Sequence, residues 1–152
     1  MTKNTVNTLV LRQITAQETY RVRHAVLRKG KPIESCVFEG DDLATTFHIG
    51  GFVSDKLVAV ASFYKKKNEK YSFSNAAQLR GMAVLGAYHG CGYGQQLLLY
   101  SEQLLTEKKV HVLWMNARIA ALGFYSKLNY QTIGTVFDIP KVGEHFVMFK
   151  KM

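Results

Sequence analysis

Hydrophobic and polar positions divide this chain into ten elements. Residues 7–14, Asn-Thr-Leu-Val-Leu-Arg-Gln-Ile, have the pattern of a strand. Thr15-Ala16-Gln17-Glu18 then fits a capping box, in which Thr and Glu side chains satisfy free N–H groups at a helix start. The helix runs to about Arg28 and is stopped by Gly30 and Pro32. Residues 30–44 are irregular, with an acidic stretch at Glu39-Gly40-Asp41-Asp42. Thr46–Val53 and Lys56–Tyr64 are apolar strands joined by the turn Ser54-Asp55-Lys56, a hairpin. A lysine-rich loop covers 65–70, and Gln78–Leu85 is a further strand. Gly86–Gly94 is a turn with four glycines, and Gln95–Lys109 is a helix with Leu97, Leu98, Leu104 and Leu105 on its inner side. Val110–Met115 reads as a buried strand and Ala117–Leu128 as a helix. Tyr130–Phe137 and His145–Lys150 close the chain as strands, with Pro140 between them.

This order predicts an α+β fold, a mixed sheet with helices against both faces. Leu79 to Met115 is a strand–helix–strand crossover, so its two strands are expected to be parallel and right-handed. There are no repeats, no low-complexity tracts and no linker, so residues 1–152 are expected to form one domain.

Composition adds exclusions. Hydrophobic residues are 47% and charged residues 20%, the balance of a globular chain rather than a disordered one. No apolar run reaches the ~18 residues a membrane span needs, and the first residues do not resemble a secretory leader. A cytoplasmic location is the default expectation, with no membrane partner. Cys36 and Cys91 are too few for a disulfide framework, and no Cys/His cluster has metal-ligand spacing, so no metal is expected. Cys36 reads as core. The net charge of +9 points to an anionic partner. The basic residues are dispersed, which fits solvated surface, nucleic acid or a polyanionic cofactor such as coenzyme A.

The glycine turn carries the chemistry. His89-Gly90-Cys91-Gly92-Tyr93-Gly94 follows a strand directly, and Gln95-Gln96-Leu97 opens a helix. A helix start leaves N–H groups unpaired and partly positive, and glycines let the backbone approach a phosphate. A P-loop would need Gly-Lys-Ser/Thr where Gly94-Gln95-Gln96 stands. A dinucleotide fingerprint would need Gly-x-Gly-x-x-Gly near the first strand. The turn instead resembles Arg/Gln-x-x-Gly-x-Gly/Ala, the acetyl-CoA turn of the GNAT superfamily of N-acetyltransferases. Leu79-Arg80-Gly81-Met82-Ala83-Val84-Leu85 resembles that family's cofactor strand. Asn116-Ala117-Arg118 and Gly123-Phe124-Tyr125-Ser126-Lys127-Leu128-Asn129-Tyr130 resemble its second motif. Two positions depart from the pattern: His89 replaces Arg or Gln, and Asn129 replaces Gly, which it can do because Asn tolerates a left-handed helix end.

The resemblance implies a GNAT fold, mostly antiparallel with one parallel crossover and splayed between the fourth and fifth strands. It implies acetyl transfer from acetyl-CoA to a primary amine by direct attack. Met82, Ala83 and Val84 would pair with the pantetheine arm, and an N–H there, that of Val84, would polarise the thioester carbonyl. His89, Gly90, Cys91, Gly92, Tyr93, Gly94 and Gln95 would hold the pyrophosphate. Asn116 would hold the arm or the acceptor, and Tyr125 would protonate the departing thiolate, a task that suits a phenol of pKa near ~10. For the base, Glu34, Glu39, Asp41, His48, Glu144 and His145 are candidates, with His145 preferred for its place near a final strand. The acidic stretch at 39–42 falls in the acceptor loop, where it would attract a cationic amine or be a solvated turn. The acceptor could be a small molecule or a protein amine, and a homodimer is open. Three rivals remain at this point: an acetyl-CoA sensor without turnover, a basic nucleic-acid-binding domain, which the dispersed charge does not favour, and a donor with a different acyl chain, propionyl or succinyl.

Overall fold

A computed structural model describes residues 8–152 of the chain. Seven strands form a mixed sheet in the order β1-β2-β3-β4-β5-β7-β6. They are β1 (Leu9–Ile14), β2 (Phe47–Val53), β3 (Lys56–Lys65), β4 (Ala76–Val84), β5 (Val112–Arg118), β6 (Gln131–Ile139) and β7 (Gly143–Lys151). The helices are α1 (Ala16–Leu27), α2 (Tyr93–Glu107) and α3 (Leu122–Lys127). The element order matches the one read from the sequence. The chain divides into two compact units, the first of residues up to Tyr64 with Arg80–Leu104, the second of Lys65–Leu79 with Leu105 onward.

In the first unit, β1 pairs antiparallel with β2 from Leu9 opposite Val53 to Ile14 opposite His48, and β2 pairs antiparallel with β3. The β2–β3 hairpin turns on Ser54 and Asp55, with φ of 48° and 67°. Two positive φ values give a turn whose twist matches the strands, here made without glycine. The α1 capping box forms as expected: Glu18 N–H donates to Thr15 Oγ1 at 3.1 Å, and Thr15 N–H to Glu18 Oε1 at 2.8 Å. Val22 of α1 packs with Ile14, Leu57, Val60 and Ala83, and Leu27, Phe52 and Leu85 close over them. This core holds β4 at Ala83, one of the three residues expected to meet the cofactor arm. Leu97 and Leu98 of α2 are fully buried.

In the second unit, β4 and β5 run parallel, as the crossover predicts, and pair Ala76–Gln78 with Val112–Trp114. That ladder takes three residues of each strand, although β4 continues to Val84 and β5 to Arg118. Strand β7 lies between β5 and β6 and is antiparallel to both. The β6–β7 register shifts between Ile133 and Phe137, where Gly134 has φ +79°. A residue's Cβ at 134 would collide with the Tyr71 hydroxyl, so glycine is the residue that fits.

The expected helix 117–128 is corrected. Ala117 and Arg118 belong to β5, opposite Phe146 and His145 of β7, because backbone pairing there outweighs local helix preference. A single 3-10 turn covers Ile119–Ala121, and α3 has only six residues. Its end is a Schellman motif: Tyr130 N–H bonds Tyr125 O and Asn129 N–H bonds Ser126 O, both at 3.1 Å. Asn129 takes φ +73°, the left-handed end its amide tolerates. Helix α2 begins two residues earlier than its expected start at Gln95, so the last glycine of the turn is helical.

Candidate active site

Strand β4 changes character at Gly81, whose φ is +67°. A Cβ there would lie 3.1 Å from Phe38 Cε2 and 3.3 Å from Arg23 Nε, so both the conformation and the space call for glycine. A glycine inside a strand pattern is a sequence signal of a bulge, and it was available in Leu79-Arg80-Gly81-Met82. After it, Met82 and Val84 are half-buried and Ala83 is buried. Leu85 N–H bonds Val58 O at 2.9 Å, and a 3-10 turn at Gly86–Tyr88 leads into the glycine turn.

Residues 89–92 are exposed. Gly90 and Gly92 have φ of +81° and +79°, and a Cβ on either would meet nothing within 4 Å. Their requirement is conformational, and the space above them is open. Gln96 N–H bonds Gly92 O at 3.1 Å, the first link inside α2. The N–H groups of Gly94 and Gln95 therefore have no acceptor within the helix, and the first turn carries no acidic residue. This is the electrostatic character of an anion site. His89 behaves differently from a freely extended phosphate ligand. Its Nε2 lies 2.8 Å from Val84 O. A carbonyl can only accept, so Nε2 carries the hydrogen and ties the end of β4 to the turn. Nδ1 is then the nitrogen turned to other partners. Cys91 is exposed, Tyr93 buried and Gln95 exposed.

In the same unit, a buried polar cluster fixes the loop between α1 and β2. Arg23 is fully buried, and its Nη1 and Nη2 donate to Asp41 Oδ2 at 2.7 Å and Oδ1 at 3.1 Å. Arg23 also donates to Cys36 O, Ser62 Oγ and Tyr64 Oη. Tyr64 Oη donates to Asp41 Oδ1 at 2.5 Å, and Phe38 N–H donates to Oδ2. Burial alone would raise the Asp41 pKa, but the hydrogen bonds from Arg23, Tyr64 and Phe38 N–H hold it below the usual carboxylate value. Tyr64 is pushed up to about 12 by burial and by its bond to Asp41. His48 bonds Asp41 O through Nε2 and Ser62 Oγ through Nδ1, and burial lowers its pKa.

Two of the base candidates, Asp41 and His48, thus have their polar atoms committed to this cluster. The acidic stretch at 39–42 also loses one of its three charges to Arg23. Glu34, Glu39 and Glu144 are exposed. The cluster's organiser, Arg23, was not singled out from sequence, although a charged residue beside the inward-facing Val22 was its signal. Cys36 is fully buried, as read.

In the second unit, Asn116 is an exposed residue within β5, opposite Val147 rather than at the strand's end. Tyr125 is buried, with its ring edge-on to Phe124 and Tyr130 at centroid distances of 5.1 and 5.8 Å. Burial pushes its pKa up to about 12, so the phenol is a proton-bearing donor throughout the physiological range. His145 is buried, its ring 5.9 Å from that of Phe137. Its Nδ1 lies 2.7 Å from Gly143 O, which fixes the hydrogen on Nδ1 and the lone pair of the neutral ring on Nε2. Among the described residues no group of three or more His, Cys, Asp or Glu could hold a metal ion, and no helix is long and apolar enough to cross a membrane.

Comparison with known proteins agrees with this fold. Residues 12–130 match the sequence profile of the acetyltransferase (GNAT) family. The chain is 36% identical over 144 residues to the uncharacterised N-acetyltransferase YitI of Bacillus subtilis, covering 95% of this chain and 97% of that protein. Its fold is similar to that of the ribosomal-protein-S18-alanine N-acetyltransferase of Escherichia coli, with a TM-score of 0.74 at 17% identity, covering 95% and 94% of the two chains. It is also similar to the PaiA N-acetyltransferase of Thermoplasma acidophilum in complex with coenzyme A, with a TM-score of 0.71 at 16% identity, covering 95% and 99%. The chain belongs to the GNAT family and is an acyltransferase.

Proposed function

We propose that the protein transfers an acetyl group from acetyl-CoA to a primary amine by direct attack, with residues 1–152 acting as one catalytic domain. The observation that carries this is the open turn at Gly90–Gly92 running into the first turn of α2. Its main-chain N–H groups suit a pyrophosphate, and a bound coenzyme A structure exists for a protein of the same fold. In this reading His89, Gly90, Cys91, Gly92, Tyr93, Gly94 and Gln95 form the cradle, while His89 also steadies Val84. Strand β4 spends Ala76–Gln78 on its ladder with β5, which supports a role for the later main-chain groups of Met82, Ala83 and Val84 in pairing with the pantetheine amides.

The reaction has few parts. A neutral amine attacks the thioester carbonyl, the Val84 N–H stabilises the oxyanion, the C–N bond forms and the C–S bond breaks. The ammonium proton leaves to a base, and the thiolate gains a proton. His145 suits the first task because its Nδ1–H is fixed by Gly143 O and its Nε2 is the basic atom. Tyr125 suits the second. With its pKa pushed up to about 12, it gives up a proton only to a thiolate that is itself desolvated, so its readiest contribution is a hydrogen bond that becomes a transfer as the C–S bond breaks. Asn116 supplies an amide for the arm or the acceptor.

The test is a thermal melt with acetyl-CoA, then free-thiol release across an amine panel. Binding raises the midpoint. No shift at millimolar acetyl-CoA would refute the proposal. A shift without thiol release from any amine would favour a sensor over an enzyme.

A further inference from the structure

Arg80 stands in β4, two residues before Met82, and is half-buried. Its guanidinium carbon lies 5.0 Å from the centroid of Phe38 and 5.6 Å from that of Tyr64. Arg28 lies 5.1 Å from the same Phe38 centroid and donates from Nη1 to Leu27 O at 3.1 Å. Among the described residues neither guanidinium has a carboxylate within ion-pair distance. The acid of the cluster, Asp41, is paired with Arg23, the third arginine on the Phe38 ring at 3.9 Å. The aromatic pair therefore presents two cations whose forked donors have no anion of the protein's own. A guanidinium in that state is a built receptor for a planar carboxylate. On the loop that carries Phe38, Val37 and Leu43 are 53% and 61% exposed, and the Arg23–Asp41 pair anchors that loop at Asp41.

We infer that the acceptor is a small amine that also carries a carboxylate and an apolar substituent, as a free amino acid does, with the carboxylate held by Arg80 and supported by Arg28. The inference rests on the acetyl-transfer reading and narrows it. Of the two expectations for the acidic stretch at 39–42 it takes the solvated turn, with Glu39 and Asp42 exposed, and the recognised charge is negative.

The experiment compares matched acceptors, leucine with isopentylamine and phenylalanine with phenethylamine, by thiol release and by thermal shift. The carboxylate-bearing member is expected to have the higher kcat/KM by roughly tenfold or more, the worth of one charge-assisted hydrogen bond. Arg80→Gln is expected to erase that preference through the KM for the amino acid, leaving the midpoint shift with acetyl-CoA intact, and Arg80→Lys to recover part of it. Equal or better turnover of the plain amines overturns the inference. So does a preference that survives Arg80→Gln, or a panel in which no carboxylate-bearing amine releases thiol or raises the midpoint. Loss of the acetyl-CoA shift in the unaltered protein is a different result: it removes the acetyl-transfer reading itself, and this inference with it.

Discussion

Arg23 and Asp41 meet through two side-by-side hydrogen bonds of 2.7 and 3.1 Å, with neither side chain more than 1% exposed. Removing one partner leaves the other charge buried. Arg23→Met is expected to destabilise the fold by about 3–5 kcal/mol, whereas most surface changes cost far less. Urea unfolding followed by circular dichroism measures it. A loss below about 1 kcal/mol would mean that the cluster is not what seats the 33–46 loop.

The same cluster sets how stability depends on pH. His48 has its folded pKa lowered, so between that value and the usual 6.5 the unfolded chain binds the extra proton, and stability falls as pH drops below 6.5. Asp41 also has its folded pKa lowered, so its contribution is complete above the ordinary carboxylate value of 3.8 and is lost as pH falls below it through the folded value. Melting midpoints are therefore expected to decline in two stages on acidification. His48→Gln is expected to remove the upper stage, and an unaltered upper stage in that variant would assign it to another group.

Tyr125→Phe keeps the ring and its edge contacts with Phe124 and Tyr130. It is expected to lower kcat by about 10²-fold, the usual worth of a positioned acid, with little change in acetyl-CoA affinity. Because burial pushes this phenol to about 12, its deprotonation is expected to leave kcat untouched below about pH 11. Unchanged turnover in the Phe variant would take Tyr125 out of the reaction.

His89→Ala removes the bond to Val84 O while leaving every glycine of the turn in place. Loss of one such bond, about 0.5–1.5 kcal/mol, corresponds to a rise of roughly 2- to 12-fold in the dissociation constant for coenzyme A. Isothermal titration reads it directly. Tighter binding by the variant would show that the tether opposes the bound geometry.

Gly134→Ala is expected to cost about 1–3 kcal/mol, from its positive φ and from the Tyr71 hydroxyl above it. In a Tyr71→Phe background the obstructing oxygen is gone and the cost is expected to shrink. A double-mutant cycle isolates the difference, and strict additivity would show that Tyr71 simply swings aside.

What could be read from sequence was what depends on near neighbours. The Thr15–Glu18 box, the Ser54–Asp55 turn, the strand–turn–helix around Gly90 and Gly92, and the left-handed Asn129 each answer to a few adjacent residues. Cys36 as core and the parallel β4–β5 pair also follow, the latter from the handedness of crossovers. The misread parts depend on distant partners. Ala117 and Arg118 are strand because β7 pairs with them. Asp41 and His48 look like free acid and base until Arg23, Ser62 and Tyr64 are brought to them from elsewhere in the chain. His89 has, besides its expected place in the cradle, a tether to a carbonyl five residues back that the turn's own residues do not signal.

Gly81 has a wider implication. Its bare α-carbon is the place where β4 rests directly on Phe38 and Arg23, with no side chain of its own as a spacer. Diversification of the 33–46 loop is therefore constrained: a variant that lacked the aromatic at 38 or the arginine at 23 would leave the strand beneath it unsupported. Exchanging the outward residues, such as the exposed Val37 and Leu43, disturbs that support less than replacing the whole loop.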